Sequence, residues 1–229
     1  MLGVFDSGEG GRCALDTLRL LLPRADILFF ADTENAPYGP RSEEELIPIV
    51  TNDIRRLFAS GAVSVLMACC TASTVHARLP EPYRSMAFPI LDVTTRAAVA
   101  VCRNHRYAVL ATARTVNADA FGRRLRAMDK EATVISHTAG ELVGLVESGH
   151  TSPDDPAVMC GVENAVRPLR SFGADTLVLG CTHFPRLYDA FARCMPGVAL
   201  ISSAEAGARA FAARVPEKEK CGGGRTIYL

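Results

Sequence analysis

The sequence predicts an α/β protein with mainly parallel sheets, arranged as two lobes about a cleft. Three observations lead there. Short apolar runs alternate with amphipathic stretches from end to end, the pattern of parallel strands joined by crossover helices. A length of 229 residues suits one large or two small domains. Finally, Val65-Leu66-Met67-Ala68-Cys69-Cys70-Thr71 shares its grammar with Leu177-Val178-Leu179-Gly180-Cys181-Thr182-His183: an apolar strand, a small residue, cysteine, a nearby threonine, then a helix start. Two facing α/β lobes would put both cysteines at strand carboxyl ends, where open sheets bind ligands. Chance likeness of two α/β units is the competing reading of that echo.

In chain order, Leu2–Phe5 reads as a strand and Gly11–Leu21 as a helix, before a turn at Pro23 and strand Ile27–Ala31. Helix Glu43–Ser60 follows. From Leu57 to Ala77 there is no Asp, Glu, Lys or Arg, yet Gly61 and the Ser/Thr/Cys cluster divide the run. It reads as helix end, turn, buried strand Val63–Ala68 and a new helix, not a membrane span. Beyond the turn at Pro80 and Pro82 come strand Phe88–Leu91 and helix Thr95–Cys102, then strand Tyr107–Ala111 and helix Val116–Met128. Strand Thr133–Ser136 precedes helices Gly140–Ser148 and Asp155–Ser171. Strand Thr176–Leu179, helix Phe184–Cys194, a turn at Pro196, strand Ala199–Ile201 and helix Ala204–Arg214 complete the pattern, and Gly222-Gly223-Gly224 approaches a last strand, Thr226–Leu229. The expected lobes are residues 1–93 with 205–229, and 94–204.

Composition excludes several classes. With 25 basic and 25 acidic residues the net charge is zero, which argues against nucleic-acid and anionic-membrane partners. Only Lys130, Lys218 and Lys220 are lysines, all in charged segments, so a Schiff-base lysine is disfavoured, and no Gly-Lys pair exists for a Walker A loop. The eight cysteines form no CxxC pair, which supports neither a zinc ribbon nor a redox motif. The opening Met1-Leu2-Gly3-Val4-Phe5-Asp6 has no basic leader region. These features predict a reduced, cytoplasmic protein in which Cys13, Cys102, Cys160 and Cys194 are small buried apolar residues.

A cysteine at a strand end before a helix is expected to feel the helix dipole, which favours the thiolate. Two such cysteines on opposite lobes suggest bases on the two faces of one carbon, so racemisation or epimerisation ranks above acyl transfer. Asp6 and Ser7 follow the first strand, Asp32 the second, and His183 lies two residues beyond Cys181. Each also has a structural reading: Asp6-Ser7 as a helix cap, Asp32 as a loop opener, His183 as a packed histidine. Gly8-Glu9-Gly10-Gly11 resembles a phosphate-binding turn, but Cys13 takes the place of a third glycine.

Val4-Phe5-Asp6-Ser7-Gly8-Glu9-Gly10-Gly11, Ala31-Asp32-Thr33 with Ala36-Pro37-Tyr38-Gly39, Ala68-Cys69 with Thr71-Ala72-Ser73, and Leu179-Gly180-Cys181-Thr182-His183-Phe184-Pro185 together resemble the glutamate racemase family, as does Leu145-Val146-Glu147-Ser148-Gly149. The resemblance spans nearly the whole chain. It implies a cofactor-independent and metal-independent amino-acid racemase of two pseudosymmetric α/β lobes, supplying D-glutamate for peptidoglycan. By the resemblance, Cys69 deprotonates the D-isomer and Cys181 the L-isomer. It also implies that Asp6, His183 and Glu147 assist the thiols and that Asp32 lies near the first. Ser7, Tyr38, Gly39, Thr71 and Thr182 match positions that hold the substrate's amino and carboxylate groups, and Asp6 is shared between both sets. A homodimer is the assembly the resemblance allows.

Three departures stand out. Cys70 occupies a substrate-side position where the family usually has asparagine, and a thiol replaces an amide poorly. Glu9 stands where a small or apolar residue is usual. The chain ends after an apparent strand where many members continue into a helix. Racemisation of another acidic substrate such as aspartate, and a weakened ligand-binding relative, therefore stay open, and a Cys69–Cys70 redox device is the remotest reading.

Overall fold

The computed structural model describes residues 1–229. Two sheets account for all nine strands, and every strand pairing is parallel. The first contains β1 (Leu2–Asp6), β2 (Ile27–Ala31), β3 (Ser64–Met67), β4 (Ala87–Pro89) and β9 (Thr226–Tyr228) in the order β4-β3-β1-β2-β9. The second contains β5 (Arg106–Ala111), β6 (Thr133–Thr138), β7 (Thr176–Gly180) and β8 (Ala199–Ser202) in the order β6-β5-β7-β8. The orders β4-β3-β1-β2 and β8-β7-β5-β6 superpose in topology, with β3 and β7, the two strands that precede Cys69 and Cys181, in equivalent places. The sequence echo is therefore an echo of topology.

Strands buried on both faces need continuous apolar runs, and β1 and β7 are buried along their whole length. Helices α1 (Arg12–Leu21), α5 (Leu91–Val101), α7 (Gly122–Met128) and α11 (Ser203–Arg214) pack between the sheets. Leu15, Leu18, Phe29, Leu91, Val109, Phe121, Val178 and Phe211 belong to one core shared by both lobes. On its other face the first sheet carries α2 (Glu43–Ala59), and the second carries α8 (Glu141–Glu147), α9 (Pro156–Arg170) and α10 (Tyr188–Cys194). Local chemistry fixes several starts. Ser42 and Glu45 form a reciprocal capping box on α2. Asp155 caps α9 ahead of Pro156, and Ser202 caps α11.

Some expectations shift. The stretch 116–128 is not one helix: α6 (Ala113–Asn117) ends before Asp119, which adopts a positive φ of 47°, and α7 starts afresh at Gly122. Helix α5 begins at Leu91, four residues earlier than the sequence suggested, so β4 is correspondingly shorter. Pro185 tightens Phe184–Leu187 into a 3₁₀ turn ahead of α10. Short helices α3 (Cys70–Ser73), α4 (Tyr83–Met86) and α12 (Glu217–Lys220) carry too little periodicity to announce themselves. Cys160 faces solvent on α9 and Cys13 and Cys102 are only half-buried, whereas Cys194 is buried. The uncharged run 57–77 resolves into the end of α2, a turn at Gly61 with φ +96°, β3 and α3. No helix is long and apolar enough to cross a membrane.

Candidate active site

The carboxyl ends of β1, β3, β5 and β7 converge on a cavity of about 560 Å³, within the range of small-molecule sites. Cys69 and Cys70 enter it from the first sheet and Cys181, Thr182 and His183 from the second. Ser7, Tyr38, Gly39, Thr71 and Glu147 complete the expected residues on its wall. Asp6 and Asp32 are not on that wall; they lie behind it, 0% and 2% exposed.

The two thiols have different surroundings. Cys69 Sγ lies 3.3 Å from Ser7 Oγ and accepts from Ala72 N at 3.4 Å, so it caps the single turn of α3. Cys181 Sγ lies 3.6 Å from His183 Nδ1, and His183 Nε2 is 3.2 Å from Glu147 Oε1. In the neutral tautomer with its proton on Nε2 toward Glu147, the Nδ1 lone pair faces the Cys181 thiol. An imidazole of this tautomer is placed to receive a thiol proton.

Asp6 sits beneath both. Its Oδ1 accepts from Gly8 N and its Oδ2 from Thr182 Oγ1, each at 3.0 Å. Burial lifts its carboxyl to about 6 against the opposing pull of His183 and these donors. The Gly8–Gly11 turn serves this packing: a Cβ on Gly10 would lie 2.5 Å from His183 Nδ1, and one on Gly11 would collide with Asp6 Cβ. The glycines admit close side chains, and the segment is not a phosphate cradle.

The helix dipole does not set the resting charge of the thiols. Burial pushes Cys69 up to about 11, with Asp6 adding to the rise, and pushes Cys181 well above the usual thiol range. Helix α3 has only four residues, and Cys181 precedes a 3₁₀ turn, so neither macrodipole outweighs desolvation. Both thiols rest neutral.

Three features went unread in the sequence. Thr112, the residue after β5, lines the cavity and lies 2.8 Å from Thr71 Oγ1 and 3.1 Å from Thr115 Oγ1, joining the lobes through hydroxyls. Its signal was the match between the ends of β1 and β5. Asp53, on α2, approaches the Tyr38 hydroxyl and had no signal beyond being an acid on an amphipathic helix. No lysine or arginine lines the cavity, so any carboxylate bound there meets hydroxyls and backbone N–H groups.

A family model described as Asp/Glu/Hydantoin racemase matches residues 17–211. The chain belongs to this racemase family. It is 36% identical over 211 residues to a glutamate racemase of Desulforudis audaxviator, covering 91% of this chain and 77% of that one. It is 38% identical over 208 residues to one of Exiguobacterium sibiricum, covering 89% and 75%. Among solved structures, a glutamate racemase isoform from Bacillus anthracis aligns with a TM-score of 0.88 at 28% identity, over 100% of this chain and 86% of that one. The glutamate racemase from Thermus thermophilus in complex with β-chloro-D-alanine aligns at 0.85 and 31% identity, with the same coverage. The shared fold of these racemases is thus the two-sheet arrangement that brings Cys69 and Cys181 to one cavity.

Proposed function

We propose that the protein interconverts L- and D-glutamate by two-base proton transfer without a cofactor, supplying D-glutamate to peptidoglycan synthesis. The observation that carries this reading is the placement of Cys69 and Cys181 on one cavity, each from the equivalent strand of its own sheet.

Cys69 removes the α-proton of D-glutamate: its sulfur forms the S–H bond as the Cα–H bond breaks, and the Cys181 thiol gives its proton to the opposite face. Cys181 and Cys69 exchange these roles for L-glutamate. One thiol must therefore be ionised in the productive complex, and the empty site disfavours that. The substrate's ammonium group supplies the missing positive charge, so thiolate forms with substrate bound. For L-glutamate, His183, backed by Glu147, takes the proton of Cys181 before that sulfur acts as base; for D-glutamate, Asp6 takes the proton of Cys69, with Ser7 Oγ 3.3 Å from that sulfur. Ser7, Thr71, Thr112 and Thr182 offer hydroxyls, and Gly39 its backbone, to the substrate's polar groups. Tyr38 contributes through its backbone and ring, because its hydroxyl is engaged with Asp32 and Asp53.

Incubating each enantiomer of glutamate separately in heavy water tests the reading. Solvent deuterium at the α-carbon from both enantiomers, with approach to a racemic mixture, is the expected result. No exchange from either overturns it. Cys70 on the cavity wall supports a second reading, racemisation of aspartate or another acidic substrate, and aspartate exchange exceeding glutamate exchange would favour it.

A further inference from the structure

Tyr38 Oη lies 2.6 Å from Asp32 Oδ2 and 2.8 Å from Asp53 Oδ2, and all three side chains are buried. A phenol has one proton to donate, so it can satisfy one carboxylate and not two. The second short contact requires a hydrogen on the carboxyl itself. Asp32 Oδ1 already accepts from Asn35 N at 3.2 Å and Asn35 Nδ2 at 3.1 Å, which suits an ionised group. Asp53 has no donor other than Tyr38.

We propose that Asp53 is a positioning residue, held as a neutral carboxylic acid that donates to Tyr38 and thereby fixes the wall of the substrate cavity. Tyr38 then donates to Asp32, giving one directed chain from α2 through the phenol to the end of β2. This chain anchors the segment Ala36–Pro40, five consecutive residues of the cavity wall. The anchored segment in turn meets the second lobe: Gly39 O accepts from Arg114 N at 3.0 Å, and Gly39 packs on Thr112. A single proton on a helix outside the cavity thus sets where one lobe's loop touches the other's.

The surroundings agree. Burial lifts the Asp53 carboxyl to about 7; a proton donated by Tyr38 would pull it down, whereas nearby Asp32 raises it further and Arg56 opposes. Asp32 and Tyr38 face it from the loop after β2, and Arg56 from its own helix. The strands beneath α2 present apolar side chains, except that Asp6 on β1 turns to Gly8 and Thr182. On α4, Tyr83 stacks on Phe58, and Arg84 is engaged by Glu81.

Two measurements test this. Infrared difference spectra of the wild type against Asp53→Asn at pH 6 should show the carbonyl band of a protonated carboxylic acid lost on substitution. The amide keeps a donor toward Tyr38, so Asp53→Asn should hold KM near the wild-type value at pH 6 and below it at pH 9, where the wild type has lost its proton. Asp53→Ala should raise KM about tenfold with kcat little changed, the loss expected of one buried hydrogen bond. An unchanged carboxylic-acid band, KM–pH profiles that run parallel in Asp53→Asn and wild type, or an Asp53→Asn enzyme as weak as Asp53→Ala would each overturn the proposal. The KM measurements rest on the glutamate racemase reading. The infrared measurement needs no substrate, so a failure of that reading is distinguishable from a failure of the proton assignment.

Discussion

Gly10→Ala tests whether the imidazole position matters to the chemistry. A Cβ at residue 10 would stand 2.5 Å from His183 Nδ1, 2.6 Å from Thr182 Oγ1 and 2.8 Å from His183 Cε1, against 3.4 Å for ordinary contact. The backbone cannot retreat, because Gly11 is already pressed on Asp6. The side chains must therefore give way by about an ångström, which breaks the 3.6 Å approach of His183 to Cys181 and the 3.2 Å contact with Glu147. A displacement of that size costs about 100-fold in rate, or about 2.7 kcal/mol of barrier. Enantiomers have equal free energy in water, so kcat/KM must fall equally in both directions whichever thiol is disturbed. The asymmetry appears in heavy water: D-glutamate loses its proton to Cys69, fails to receive one from Cys181, and regains solvent deuterium on its original face. Labelled D-glutamate should therefore accumulate faster relative to L-glutamate than in the wild type. Polarimetry gives the rates, proton NMR of the separated enantiomers the label, and thermal unfolding monitors the overpacking cost of about 1–3 kcal/mol. A folded Gly10→Ala enzyme with nearly wild-type kcat/KM and unchanged labelling would refute the role given to His183.

Cys69→Ser and Cys181→Ser should each lower racemisation by about 10³-fold or more, since an alcohol is a far weaker acid than a thiol; a full two-way rate in either, by polarimetry, would end the two-base account. Cys70→Asn gives the buried, unpartnered Ser203 hydroxyl near that thiol an amide to bond and adds a donor at the cavity, so KM for glutamate should fall several-fold in steady-state assays; a rise would mean the site is built around the thiol. Asp6→Asn should stabilise the empty enzyme at neutral pH. The folded carboxyl titrates near 6, above its unfolded value near 4, so the folded state binds more protons between those values and wild-type stability falls as pH rises through that window. Removing the charge recovers up to roughly 3 kcal/mol above pH 6, while abolishing that pH slope in urea unfolding.

The fold was legible because its signals are repetitive. Continuous apolar strands, proline turns and capped helices recur along the chain, and the main misreadings fall where one residue overrides a pattern, as at Asp119 between α6 and α7. The thiols were legible for a different reason: cysteine after an apolar strand, twice, is rare enough to ask for an explanation. Their resting charge was not legible. Sequence shows that a helix follows Cys69, but not that the helix has one turn or that the residue is only 4% exposed, and burial decides the sign. Asp53 was hidden altogether, since its meaning depends on a phenol 15 residues away and on a carboxyl just beyond the end of β2, both on the loop that precedes its helix.

A cavity with no lysine or arginine on its wall must hold an acidic amino acid by other means. The protein supplies hydroxyls, amides, the His183 imidazole and three neutral thiols, and the carboxylates that are buried nearby either stay close to protonation, as Asp6 does, or share protons with neighbours, as in the Asp32–Tyr38–Asp53 chain. A fixed cation would hold the substrate carboxylate more tightly, but it would also lower the thiol pKa in the empty site and leave a reactive thiolate facing solvent. In the proposed mechanism the positive charge is carried in by the substrate ammonium, so a thiol ionises only as the substrate binds. The base is then strong because it is desolvated, and it exists only when the carbon it must deprotonate is in place.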